Sequence, residues 1–368
     1  MGVFLGNFNP DSTFTSDVGS VTRLATSAPF ARYLAEAIYE QSAFVQAGIL
    51  GRNAGLSNTT GSRIEAPFFD PIDSTEETIQ SNDTWGTSGA GHFTSQKITA
   101  STQYATITYR GFMYSQDDLS QVQTGEDSLA HMRAQLADDL NKKLTGKLLS
   151  HATGLIVDPA APLHATNYLD KSEATPGSEA EANYLNAANV TEAKYRLGER
   201  AGSLTSIAMH PNVAAYLETV GALTFSTSAL STGGAIQWGG GGIGLTSTAV
   251  GNFMGLRVVV DSQMPILGSA GENEQYLSVL FGDGAVQTGD QFPLRIESER
   301  NIASLQDAVA VHYSNILHVP GTSWGASFDN PTNAQLATPA NWSLAYSRPE
   351  LISLVGLVTN TPFGGVIS

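Results

Sequence analysis

The chain has 368 residues, a net charge of −16 with a pI near 4.7, 14% charged residues, 37 glycines and no cysteine. A sequence-independent nucleic-acid binder needs basic surface to displace counterions from phosphates, so a chain this acidic is excluded from that class. The absence of cysteine excludes a disulfide framework and a thiolate metal site. An average soluble protein carries about 25% charged residues. Charge this sparse fits an exterior covered by other subunits, and fits a weakly charged extracellular β-protein equally well.

Residues 1 to about 27 are polar and aperiodic and read as an arm that orders only against partners. Met1–Asn7 has no basic region and only a short apolar run, so no signal peptide is expected, and Gly6 stands where a myristoylation signal wants Ser or Thr. No apolar stretch approaches 18 residues, so no spanning helix and no membrane partner are expected. Ser27 with Pro29 predicts a helix start, and Phe30, Tyr33, Leu34, Ala37, Ile38 and Val45 give it an apolar side ended by Gly48 or Gly51. From Ser62 the signal becomes extended. Arg63–Phe69 is one strand, and Gln96–Thr99 with Tyr104–Tyr109 forms the return. The acidic, Gly-rich residues between them (Asp73, Glu76, Glu77, Asp83, Gly86, Gly89, Gly91) cannot build a core. A two-stranded ribbon is marginal alone in water and must lie on something else.

The strongest periodic signal runs from Glu126 to about Thr153. Leu129, Met132, Leu136, Leu140, Leu144 and Leu148 recur at three- and four-residue steps and draw one stripe along a helix of roughly seven turns. Arg133, Asp138, Asp139, Lys142, Lys143 and Lys147 are assigned to the other face, with Asp138–Lys142 and Asp139–Lys143 in the favourable order. Thr124 and Asp127 supply a capping-box start. In a chain poor in helix signals, such a helix reads as a spine.

Residues 154–188 are Pro/Ala/Glu-rich and read as an irregular surface insertion. A helix from about Val190 to Arg200, a buried strand Ser206–Met209 and a short helix from Pro211 to Leu217 follow. Residues 221–248 form a Gly/Ser/Thr loop. Leu256–Asp261 and Tyr276–Phe281 are strands, and Leu294–Ser298 with Ala308–Tyr313 is a later antiparallel pair. The tail from Asn330 holds an apolar run at Leu351–Val358.

Catalytic motifs fail their context tests. Gly321-Thr322-Ser323-Trp324-Gly325 matches the nucleophile-elbow pattern, but Pro320 precedes it and no helix pattern follows. Gly239, Gly241 and Gly244 match a dinucleotide fingerprint without the strand and helix that would present a phosphate to backbone N–H groups. The seven histidines lack metal-ligand spacing. No catalytic residue, cofactor or metal is expected.

This order of arm, helix, long hairpin, spine helix, layered α/β region and β-rich return resembles the major capsid proteins of tailed double-stranded DNA bacteriophages, with the Hong Kong 97-type α+β fold. Three stretches carry it. They are Thr106–Phe112 running through Asp117-Asp118-Leu119 into the spine; Ala208–Leu217 with Gly255–Asp261 and Pro265; and Asn330-Pro331-Thr332-Asn333-Ala334-Gln335-Leu336-Ala337 with Asn341-Trp342. The resemblance implies an N-terminal arm and helix at 1–55, an extended hairpin loop at 56–110, a peripheral domain with spine and insertion at 111–189, an axial domain at 190–289, and return strands with a tail at 290–368. It implies pentamers and hexamers closing an icosahedral shell around packaged DNA in the host bacterial cytoplasm, with a portal and a decoration or cement protein as partners. Phe68, Phe69, Trp85 and Lys97 on the hairpin and Trp238 on the axial loop are the candidate intersubunit contacts. The rivals are an encapsulin-like shell, a serine hydrolase using Ser323, and an exported surface-layer or adhesin protein.

The arm is too short and too polar for a helical scaffold, because isolated helices below about 12–15 residues are marginal. The expectation is a separate scaffolding protein and a coat left uncleaved beyond Met1. Intact-mass spectrometry of subunits from mature particles should give the full-length mass; loss of several tens of N-terminal residues would refute it.

Overall fold

Tyr276-Leu277-Ser278-Val279-Leu280-Phe281 is apolar at nearly every position, and a strand of that kind needs cover on both faces. The structure, a computed structural model, describes residues 42–57, 61–70, 76, 98–117, 128–222, 224–225, 251–301 and 305–367. In the first part of the chain its elements are α1 (Ala43–Gln46), β1 (Leu50–Arg52), β2 (Arg63–Phe69), β3 (Ala100–Asp117), α2 (Ser128–Ile156), α3 (His164–Asn167) and β4 (Tyr168–Asp170). The middle holds α4 (Ala187–Tyr195), β5 (Leu204–Met209), α5 (Pro211–Thr219), β6 (Thr224–Phe225), β7 (Gly251–Phe253), β8 (Leu256–Val260) and β9 (Ile266–Leu267). Then come β10 (Gln275–Gly282), β11 (Val286–Gly289), β12 (Arg295–Asn301), β13 (Gln306–His318) and β14 (Thr322–Trp324). The chain closes with α6 (Asn333–Leu336), β15 (Trp342–Leu344) and β16 (Leu354–Thr359).

An eight-stranded mixed sheet runs β4-β16-β10-β5-β8-β7-β6, with β9 beside β10. The two-residue period of a strand sends alternate side chains to opposite faces. Leu277, Val279 and Phe281 of β10 join one core with Leu144, Leu148, Leu155 and Ile156 of α2. Tyr276 and Leu280 join a second core with Val190 of α4 and Val213 and Leu217 of α5. The result is a sheet with helices on both faces. Gly356 lies where β16 crosses α2, and a Cβ there would stand 2.5 Å from Ile156 Cγ2.

A second sheet runs β1-β11-β13-β3-β2, with β12 paired to one end of β13. Beneath it lies the front half of the described stripe, where Leu136 and Leu140 pack with Ile296, Val309 and Val311. The expected antiparallel pair is present, with Ile296 opposite Val311. The spine therefore carries two cores along its length. Asp138–Lys142 and Asp139–Lys143 are ion pairs at 2.8 and 2.7 Å. Exposed pairs of this kind contribute little.

The structure corrects several expectations. Lys147, assigned to the polar face, is 3% exposed and its Nζ donates to Thr108 Oγ1 at 2.6 Å. Lys147 is seven residues beyond Leu140 and three beyond Leu144, so it lies on the apolar stripe despite its charge. Residues 154–188 are not a loose insertion. Leu163 and Leu185 are fully buried, and β4 pairs in parallel with β16. The apolar run in the tail is β16, an interior strand between β4 and β10. The described return strand runs from Ala100 to Asp117, longer than the Tyr104–Tyr109 expected, and Ile98 and Thr99 precede it.

Termini are held locally. Gly48, at φ +77°, follows α1 in a left-handed cap; Ile49 N–H donates to Phe44 O and Gly48 N–H to Val45 O, both at 2.9 Å. Thr332 and Gln335 form a reciprocal capping box on α6. That short helix seats on α2 at Gly154, where an added Cβ would lie 2.2 Å from Leu336 O, so the position admits no side chain. The 1–41 arm and helix start, Thr124 and Asp127, and residues 226–250 lie outside the described residues.

Candidate intersubunit surfaces

The ribbon of β2 and β3 pairs in one register, from Arg63 opposite Thr106 to Phe69 opposite Ala100. Its alternation gives it two faces. On the inner face Ile64 and Ala105 are buried, and Phe68 meets Tyr346 edge to face at 5.1 Å. The Gln103 side chain accepts from Gly321 N–H at 2.9 Å, and Tyr104 N–H donates to Ser323 Oγ at 3.0 Å. Arg63 pairs with Asp329 at 3.1 Å and its guanidinium donates to Ala326 O. The base of the ribbon therefore lies on its own chain.

The outer face is different. Glu65 and Pro67 are exposed, Phe69 is 77% exposed and Ile98 is 68% exposed. Thr99 and Ser101 hydroxyls donate to Asp70 Oδ2 at 2.8 and 2.9 Å, which fixes the two strands where this apolar pair is presented. Two large apolar side chains held outward at this end of the ribbon form an exposed apolar surface among the described residues.

Of the predicted contact residues, Phe69 is free to meet a partner and Phe68 is half-buried against Tyr346. Trp85, Lys97 and Trp238 lie outside the described residues. Sequence reasoning missed Ile98, although its place on the return strand was legible. It also missed the far end of the second sheet. There β3 continues past β2, with Met113 68% and Tyr114 41% exposed. The opposite edge, β12, carries exposed Arg295, Glu297, Glu299 and Arg300, charges that discourage strand addition.

Ser323 sits in β14, paired with Ser343 of β15, and its Oγ is occupied by the Tyr104 amide. An irregular stretch follows it, so the strand-to-helix turn of a nucleophile elbow is not formed. Among the described residues no group of three His, Asp or Glu side chains could hold a metal.

This architecture is shared with solved phage capsids. The capsid protein of Ralstonia phage GP4 superposes with a TM-score of 0.54 at 10% identity, covering 98% of both chains. The cyanophage Pam1 capsid protein gives 0.52 at 11% identity, covering 88% of this chain and 93% of its own. The fold is thus that of a phage coat subunit, built of helices and sheets. Residues 53–349 match the family described as Gp13-like, Major capsid protein 13-like, and the chain belongs to that family. The major capsid protein of Bacillus phage SPP1 is 24% identical over 335 residues, 89% of this chain and 93% of the relative. The chain is a bacteriophage major capsid protein, a structural component of the virion. The encapsulin and hydrolase readings are not favoured.

Proposed function

We propose that this coat protein closes an icosahedral shell of pentamers and hexamers around packaged double-stranded DNA, in the Hong Kong 97-type arrangement. The observation that supports it is the two-faced ribbon: Phe68 and Ile64 are seated on the chain itself, while Phe69 and Ile98 are exposed and face outward. The segment 56–110 reaches over a neighbouring subunit, and that outward pair docks on it. The second sheet with the front half of α2 forms the peripheral domain, and the eight-stranded sheet, which draws in β4 and β16 from outside 190–289, the axial domain. Shell interiors enclose DNA without reading its sequence, consistent with the net charge of −16.

The protein does no chemistry in this reading; Ser323 serves the ribbon as an acceptor. Assembly takes place in the host cytoplasm with a separate scaffolding protein, a portal and a decoration protein. Light scattering and negative-stain imaging of the expressed protein test it. Rings or closed shells are the expected result. A stable monomer across salt concentrations and in the presence of scaffold would overturn it.

A further inference from the structure

Three basic side chains are buried where α2 meets the strands beneath it. Lys147 is 3% exposed, and His151 and His318 are each 2% exposed. Lys147 Nζ donates to Thr108 Oγ1, whose own hydrogen goes to Asn315 O at 2.7 Å. His151 stands 5.0 Å from the Trp342 ring, and Lys147 Nζ lies 5.8 Å from the Tyr313 ring centre. His151 Nδ1 and both ring nitrogens of His318 have no hydrogen-bond partner among the described residues. Buried basic groups are normally matched by carboxylates, because an uncompensated charge in an apolar setting is costly.

The matching charge is missing here. From β3 the facing charged group is Arg110, another cation, bonded to Asn330 Oδ1 at 2.7 Å and to Pro331 O. From β13 there are Tyr313 and His318. From α2 itself come Lys143 and Asp139, bound to each other, with Lys143 3.8 Å above the Phe112 ring. Trp342 on β15 brings no charge. Asp139 acts on Tyr313, and no carboxylate acts on Lys147, His151 or His318 among the described residues.

We propose that the seam between α2 and the β3–β13 strands is a pH-sensitive clasp, closed while Lys147, His151 and His318 are uncharged and forced apart as they take up protons. Burial brings Lys147 down to about 7, with Arg110 adding to it. Burial also lowers His151 to about 3, reinforced by Lys147 and His318, and His318 to about 4. Each group binds its proton more weakly when the seam is closed, so protons favour the open form. Closure loses stability in two stages. The first falls between the ordinary lysine pKa of 10.5 and about 7; the second falls from 6.5 towards about 3 to 4. Because α2 joins the core under the large sheet to the core under the second sheet, opening the seam frees the two to shift against each other.

Hydrogen exchange on the full-length soluble subunit, corrected for intrinsic rates, tests the clasp between pH 4 and 10. Peptides from 136–156 and 306–318 should lose protection in both windows, by up to about tenfold per pH unit in the alkaline window, where one proton is taken up, and up to about a hundredfold where both histidines titrate together. Peptides from 204–217 should hold theirs. Lys147→Met should abolish the alkaline stage, and His151→Phe with His318→Leu should abolish the acid stage. The histidine pair reads its stage even where Lys147→Met does not fold. A pH-independent seam in the wild-type chain, or a loss shared equally by 204–217, would overturn the proposal.

Discussion

Leu140→Asp is expected to unfold the subunit or leave it insoluble, whereas Leu140→Met should be nearly silent. Leu140 is 4% exposed and packs with Leu136, Ile296, Val309 and Val311. Removing it forfeits roughly 2 kcal/mol of burial. Placing a carboxyl there without a partner costs at least about 2 kcal/mol more. A total near 4 kcal/mol is a large part of the 5–15 kcal/mol that typically holds a domain together. Methionine conserves volume and should cost below about 1.5 kcal/mol. Thermal melts followed by circular dichroism measure both. Equal stability of the two variants would show that the stripe does not pack on the β12–β13 strands.

Phe69→Asp should have the opposite signature: a normally folded subunit that fails to close shells. Phe69 is 77% exposed, so its replacement should change the subunit's own stability by no more than about 0.5 kcal/mol. A central aromatic anchor at an interface is worth about 2 kcal/mol or more. That corresponds to roughly a thirtyfold rise in the concentration needed for assembly. Phe68→Ala is the contrasting variant, because it removes the contact with Tyr346 and should lower the melting temperature of the isolated subunit. Sedimentation of assembly reactions beside melts of the subunits separates the two effects. Normal shell yield from Phe69→Asp would remove that residue from the interface.

Elements that announce themselves by long periodic patterns were legible. The spine, β2, β10 and the β12–β13 pair lie close to where spacing put them, because many residues each contribute to the same signal. Short elements carry too few positions for that. β4 and α3 hold only three and four residues, and their place in the sheet comes from partners far along the chain. Tertiary pairing likewise draws the apolar run of the tail into the sheet interior as β16. Lys147 is a different case. Its position on the stripe was visible, but a charged residue argues for solvent unless the neighbouring layer is known.

The candidate surface was half legible. The marginal stability of a two-stranded ribbon showed that it had to lie on something, but not which face would be covered. Tyr346, which claims Phe68, lies 278 positions away, and no local signal links them. Once that contact is known, Phe69 and Ile98 are the residues left outward.

A cryo-electron microscopy reconstruction of assembled particles tests the central claim most directly. The account predicts a closed icosahedral shell in which Phe69 and Ile98 of each ribbon are buried against a neighbouring subunit while Phe68 stays on its own Tyr346. A shell in which both outward residues face solvent, or lie against their own subunit, would contradict it.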